Sequence, residues 1–123
     1  MILVDTSIWV DHLRVGDSGL VELLNEGQVL IHPFVIGELA LGIVRQREVI
    51  FNALDNLPQA PVASHEEVMR FIVQNQLAGQ GIGYVDVCLL AAIRLAPGST
   101  LWTRDKRLLA VSVQLGLSGK GIY

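Results

Sequence analysis

Residues 1–14 read MILVDTSIWVDHLR, and the step from Val4 to Asp5 decides how the rest is read. Ile2, Leu3 and Val4 form an apolar run that stops on a carboxylate, followed by two hydroxyls, Thr6 and Ser7. An apolar run bounded this way is the pattern of a short buried strand. Polar groups at the carboxyl end of such a strand either cap the next helix or face a ligand.

Outward from this stretch, apolar segments alternate with helical patterns. Further strands are expected at 29–32, near 61–63, at 100–103 and around Ile122. Helices are expected at about 7–14, 18–25, 34–44, 47–55, 65–77, 85–95 and 105–114. A β-then-α alternation predicts a parallel sheet with right-handed crossovers and helices on both faces. The fold class is therefore α/β, a three-layer α/β/α sandwich around a short parallel sheet. With no repeat, low-complexity segment or linker, residues 1–123 are expected to form a single domain.

Apolar residues make up 51% of the chain and charged residues 17%, a low charge content that leaves apolar surface for a partner. The longest uninterrupted apolar stretch, Val87 to Ile93, is too short to span a bilayer, and no basic-then-apolar leader precedes the first strand. A cytoplasmic protein is expected. Cys88 is the single cysteine, which excludes an internal disulfide and any cysteine-cluster metal site.

Several polar motifs have plain structural readings. In SHEE (64–67), Ser64 with Glu67 three residues on is a capping box for the following helix. His12 and His32 are isolated, which suits solvated or core roles. GQGIG (79–83) lacks the spacing and the Lys-Ser/Thr pair of a phosphate loop and follows a helix, so it reads as a turn.

Four acids remain. Asp5 ends the first strand, and Asp105 follows the strand TLWT within TRDKRL, so a parallel sheet places both at its carboxyl edge, where ligands bind in doubly wound folds. Each also suits a helix N-cap. Asp86 opens VDVCLLAAIRL, a helix apolar on nearly every side, and Glu38 stands almost alone in PFVIGELALGIV. Glu38, Gly42 and Arg45 would share one helical face, which offers Glu38 a solvated stripe as its alternative. A buried carboxylate needs a cation or strong hydrogen bonding. If the four converge, oxygen-only ligands suit Mg²⁺ or Mn²⁺ and a metal-assisted attack on a phosphoryl group. The net charge of −3 argues against a polyanion partner until the four acids are set aside, which leaves the remainder at +1. Arg104, Lys106 and Arg107 crowd around Asp105 at the expected sheet edge.

The stretches MILVDTSIWVDHLR, VIGELALG, GYVDVCLLAAI and LWTRDKRL stand in the order and approximate spacing of the PIN-domain family. The chain resembles in particular its bacterial VapC-type toxins, the ribonuclease halves of toxin–antitoxin pairs. The resemblance covers essentially the whole chain. It implies that Asp5, Glu38, Asp86 and Asp105 are the catalytic acids, holding Mg²⁺ or Mn²⁺ and placing a water for attack on an RNA phosphodiester. Ser7 and Thr103 match the family's auxiliary hydroxyl positions. The resemblance also implies a homodimer and a small antitoxin seated in a hydrophobic groove. tRNA is a common target among such proteins.

Three other readings use the same residues. A haloacid-dehalogenase-like phosphotransferase also begins with a strand ending in Asp, here Asp5, but needs a second Asp where Ser7 stands; a receiver domain needs acids that the middle strands lack. A non-catalytic binding module on the same fold would bind no divalent ion and cleave no RNA.

Overall fold

The computed structural model describes residues 1–119. In chain order its elements are β1 (Ile2–Val4), α1 (Thr6–Val15), α2 (Ser18–Asn25), β2 (Val29–Leu30), α3 (Pro33–Ala40), α4 (Arg47–Asp55), α5 (His65–Gln74), α6 (Tyr84–Arg94), β3 (Thr100–Trp102) and α7 (Lys106–Gln114). The strands form one parallel sheet in the order β2-β1-β3, packed between helices as an α/β/α sandwich. Among the described residues no helix is long and apolar enough to cross a membrane.

The opening strand is the centre of this sheet. Ile2 and Leu3 pair with Val29 and Leu30 on one side, and Ile2, Leu3 and Val4 pair with Thr100, Leu101 and Trp102 on the other. Leu3 and Val4 are wholly buried, as are Ile8, Leu20, Leu89, Leu90 and Leu108 from the surrounding helices. Each such side chain contributes roughly 1.5–3 kcal/mol on leaving water. The Val4–Trp102 pair sets the carboxyl ends of β1 and β3 side by side. There the Asp5 N–H continues the ladder by donating to the Trp102 carbonyl at 2.9 Å.

α6 is the innermost helix: every residue from Val87 to Ile93 is buried, against α5 on one side and β3 on the other. The expected capping box of α5 is present in both halves, with Glu67 N–H donating to Ser64 Oγ at 3.1 Å and Ser64 N–H to Glu67 Oε1 at 2.8 Å. His32 is fully buried at the start of α3 and accepts the Phe34 N–H at Nδ1, while His12 accepts the Asp17 N–H. Both have structural work.

Three expectations change. The helix expected at 34–44 stops at Ala40, because Arg47 folds back and donates to the Ala40 carbonyl at 2.6 Å and the Gly42 carbonyl at 3.4 Å. These bonds satisfy carbonyls that a longer helix would have used. Gly42 and Arg45 therefore share no helical face with Glu38. The strand expected near 61–63 does not form; a single parallel bridge joins Ile31 to Gln59 instead, since Pro61 has no N–H to extend a ladder. On the far side Leu101 bridges Ser118, and the strand expected around Ile122 lies outside the described residues.

Candidate functional site

Three helix starts meet where β1 and β3 end. Asp5 precedes α1, Asp105 precedes α7, and Asp86 lies in the first turn of α6. The positive ends of helix dipoles favour carboxylates there. Glu38 joins from α3, which packs on α1.

Asp5 is 5% exposed and stands in the N-cap position of α1, yet its side chain caps nothing. Its Oδ2 instead accepts two hydroxyl bonds, from Thr103 at 2.7 Å and Ser7 at 2.9 Å. A helix-start role does not account for this residue. Thr103 also accepts the Asp105 N–H at 3.1 Å, and Ser7 accepts the Arg104 N–H at 3.1 Å, so both hydroxyls are oriented by the backbone that leads into α7.

Each of the other acids is likewise held by one oxygen. Asp105 Oδ1 accepts from the N–H groups of Arg107 and Leu108, both at 3.0 Å, which is a true N-cap. Asp86 Oδ2 accepts the Gly83 N–H at 3.2 Å, reaching back over the start of α6. Glu38 Oε1 accepts from Thr6 Oγ1 at 2.6 Å. In all four carboxylates the second oxygen has no protein donor among the described residues. The acids are oriented and still have capacity to bind.

The four also sense one another. Burial pushes the Asp86 carboxyl above the usual aspartate range against the pull of the Gly83 N–H, and the charges of Asp5, Asp105 and Glu38 push it further. Asp86 is half-buried, whereas Glu38 and Asp105 are exposed, so the buried setting expected for Glu38 is corrected: α3 turns it outward towards Thr6.

Among the described residues no three acidic, histidine or cysteine side chains stand close enough to enclose an ion as they are placed. Carboxylates several ångström apart repel by roughly 1–3 kcal/mol per pair, which favours a spread arrangement. The donor set nonetheless fits a hard divalent cation: all oxygen, anionic, and with one unengaged oxygen on each acid.

Two features of the site were not legible beforehand. Thr6 is the partner of Glu38, and the only hint was its place in VDTS. Arg104, expected at the rim with Lys106 and Arg107, turns away. Its guanidinium pairs with Asp11 at 2.7 Å and with Asp17, and lies 5.6 Å from the centre of the Trp102 ring. It ties α1 and the start of α2 to the end of β3.

A PIN domain matches residues 2–114. The chain is 50% identical over 118 residues to Ribonuclease VapC32 of Mycobacterium tuberculosis, both in strain CDC 1551 / Oshkosh and in strain ATCC 25618 / H37Rv. Each match covers 96% of this chain and 95% of the relative. With four oriented acids at the carboxyl edge of a parallel sheet, and this likeness along almost its whole length, the chain belongs to the PIN-domain family and, within it, to the VapC-type proteins.

Proposed function

We propose that this chain is a metal-dependent endoribonuclease, the toxin of a type II toxin–antitoxin pair, acting as a single domain over residues 1–123 in the cytoplasm. The observation that carries the reading is Asp86: a half-buried carboxyl raised by its burial and by the charges of Asp5, Asp105 and Glu38. Four acids under mutual repulsion, with no ion-pair partner among the described residues, make a site that a divalent cation would stabilise. The ribonuclease relative supports RNA as the substrate.

Asp5, Glu38, Asp86 and Asp105 would hold Mg²⁺ or Mn²⁺ through their unengaged oxygens. The bound ion would supply water activation and neutralise charge developing on the phosphate. Thr103 and Ser7 fix the rotamer of Asp5, Thr6 that of Glu38, and the first turn of α7 that of Asp105. A carboxylate whose rotamer is already set loses less entropy on binding an ion. RNA is the proposed substrate, with tRNA the first to test.

A partner is supported by a groove that Glu38 itself helps to line. The groove, of about 620 Å³, is lined by Val10, Leu13, Leu39, Ile43, Val44 and Ile50, with Arg14 and Arg45 also at its walls. An apolar antitoxin segment lying there would end next to the acids. The remaining exposed apolar surface suits a homodimer.

The test is cleavage of labelled single-stranded RNA and tRNA with Mg²⁺, Mn²⁺ or chelator, by wild type and Asp5→Asn. Metal-dependent cleavage by the wild type, lost in the variant, supports the proposal. Cleavage undiminished in Asp5→Asn, no cleavage of any RNA, or a trapped aspartyl-phosphate would sink it.

A further inference from the structure

Two arginines stand beside Asp105 in sequence, and the structure separates them. Arg104 is consumed by Asp11 and Asp17. Arg107 is not: among the described residues it has no acidic partner within ion-pair distance, although its own N–H is held by Asp105. Its side chain rests instead on Gly81. A Cβ placed at Gly81 would fall 3.0 Å from Arg107 Cδ, 3.0 Å from Nη1 and 3.4 Å from Cζ. Gly81 also has φ +79°, a conformation that side chains disfavour. The bare backbone of the 79–83 turn is therefore the seat of the guanidinium.

This seat lies between two acids. The Arg107 N–H donates to Asp105 at 3.0 Å, and Gly81 is two residues before Gly83, whose N–H holds Asp86. The guanidinium bridges the loop that carries one acid and the turn that leads to the other. A cation that contacts the scaffold of an acid site without neutralising its carboxylates stays available for an incoming anion. A guanidinium presents a planar fork of donors that matches two phosphate oxygens.

We propose that Arg107, seated on Gly81, binds a backbone phosphate of the RNA next to the one being cleaved, and so positions the strand across the four acids. This rests on the ribonuclease reading above. A contact to a neighbouring phosphate is made equally in the bound substrate and in the transition state, so it acts on KM and leaves kcat in place.

Arg107 is exposed, so its replacement opens no buried cavity. In steady-state cleavage of a short single-stranded RNA, Arg107→Gln should raise KM by about tenfold with kcat nearly unchanged, the loss expected for one charged hydrogen-bond contact. The log–log salt slope of binding should fall by about one, as for one lost phosphate contact. Arg107→Lys should recover part of the loss, since it keeps the charge without the fork. Gly81→Ala should raise KM in the same direction by displacing the guanidinium, and Gly81→Ala combined with Arg107→Gln should be no worse than Arg107→Gln. Mn²⁺-induced stabilisation of Arg107→Gln, read by melting, should match the wild type. An unchanged KM and salt slope in Arg107→Gln overturns the proposal, as does a fall in kcat at constant KM.

Binding of the same RNA by fluorescence anisotropy in the Asp5→Asn background separates the two readings. If the wild type cleaves RNA while Arg107→Gln neither weakens binding nor raises KM, the Arg107 role alone fails. If Arg107→Gln weakens binding of an RNA that the wild type never cleaves, the ribonuclease reading fails and the phosphate contact stands.

Discussion

The Thr103 hydroxyl donates to Asp5 Oδ2 at 2.7 Å, joining residues 98 positions apart at the ends of neighbouring strands. The Thr103 oxygen in turn accepts the Asp105 N–H, so one hydroxyl orients two of the four acids. Thr103→Val keeps the shape and deletes both bonds. It should cost roughly 1–3 kcal/mol of stability, because the buried Asp5 loses a donor, and lower RNA cleavage by about 10- to 100-fold. Thr103→Ser should retain most of both. Chemical denaturation and cleavage of the two variants check this, and equal behaviour would remove Thr103 from the site.

Asp86 carries a sign that can be read against pH. Its raised carboxyl keeps its proton to higher pH in the folded chain than in the unfolded chain. The stability linked to that proton is present in acid and is lost as pH rises through the raised value, so ionised Asp86 opposes folding at neutral pH. In chelator at pH 7, Asp86→Asn should be the more stable protein by about 1 kcal/mol, a modest amount because solvent screens this half-buried group. The advantage should shrink as pH falls towards the ordinary aspartate value of 3.8. Added Mn²⁺ should raise the melting temperature of the wild type by linkage and that of the variant much less. A metal response shared equally by both proteins would leave Asp86 as a helix-start residue.

Asp17 has the opposite sign. Its carboxyl is held below the usual range by the Arg104 guanidinium first, and then by the Leu20 N–H. The corresponding stability is present above 3.8 and is lost as pH falls through the lowered value. Arg104→Met should cost about 1 kcal/mol at pH 7, the upper range for a partly exposed ion-pair network, and flatten this acid limb. Denaturation midpoints between neutral and acid pH measure it. An acid limb as steep in Arg104→Met as in the wild type would assign it to other carboxylates.

The groove beside Glu38 separates inhibition from catalysis. Ile43 lines it and is fully exposed, so Ile43→Glu should shift stability by less than about 0.5 kcal/mol and leave RNA cleavage unchanged. The same change should abolish binding of the antitoxin, sought first in the reading frame immediately upstream. Equal affinity of that protein for both forms would place the antitoxin on another surface.

Local pattern was sufficient for much of the fold. The runs Ser18–Asn25 and Arg47–Asp55 coincide with the helices expected from periodicity, and Ser64 with Glu67 forms the capping box that its spacing implied. These features depend on neighbours within a turn or two. α3 ended early because its carbonyls are satisfied by Arg47, a side chain beyond its end that no periodicity reports.

The same division runs through the site. The sequence by itself determined the β–α alternation, and the placement of Asp5 and Asp105 after strands that must end on the same edge of a parallel sheet. It also marked Asp86 as the one acid at the head of a helix buried from Val87 to Ile93. Only the tertiary structure decided that Glu38 meets Thr6, that Arg104 belongs to Asp11 and Asp17, and that Arg107 rests on Gly81. Backbone periodicity and capping are governed by residues three or four apart, so they can be read along the chain. Which partner a long side chain chooses depends on the packing of α1 against α3 and of α7 beside the 79–83 turn, over separations such as the 32 residues between Thr6 and Glu38. No local rule carries that information.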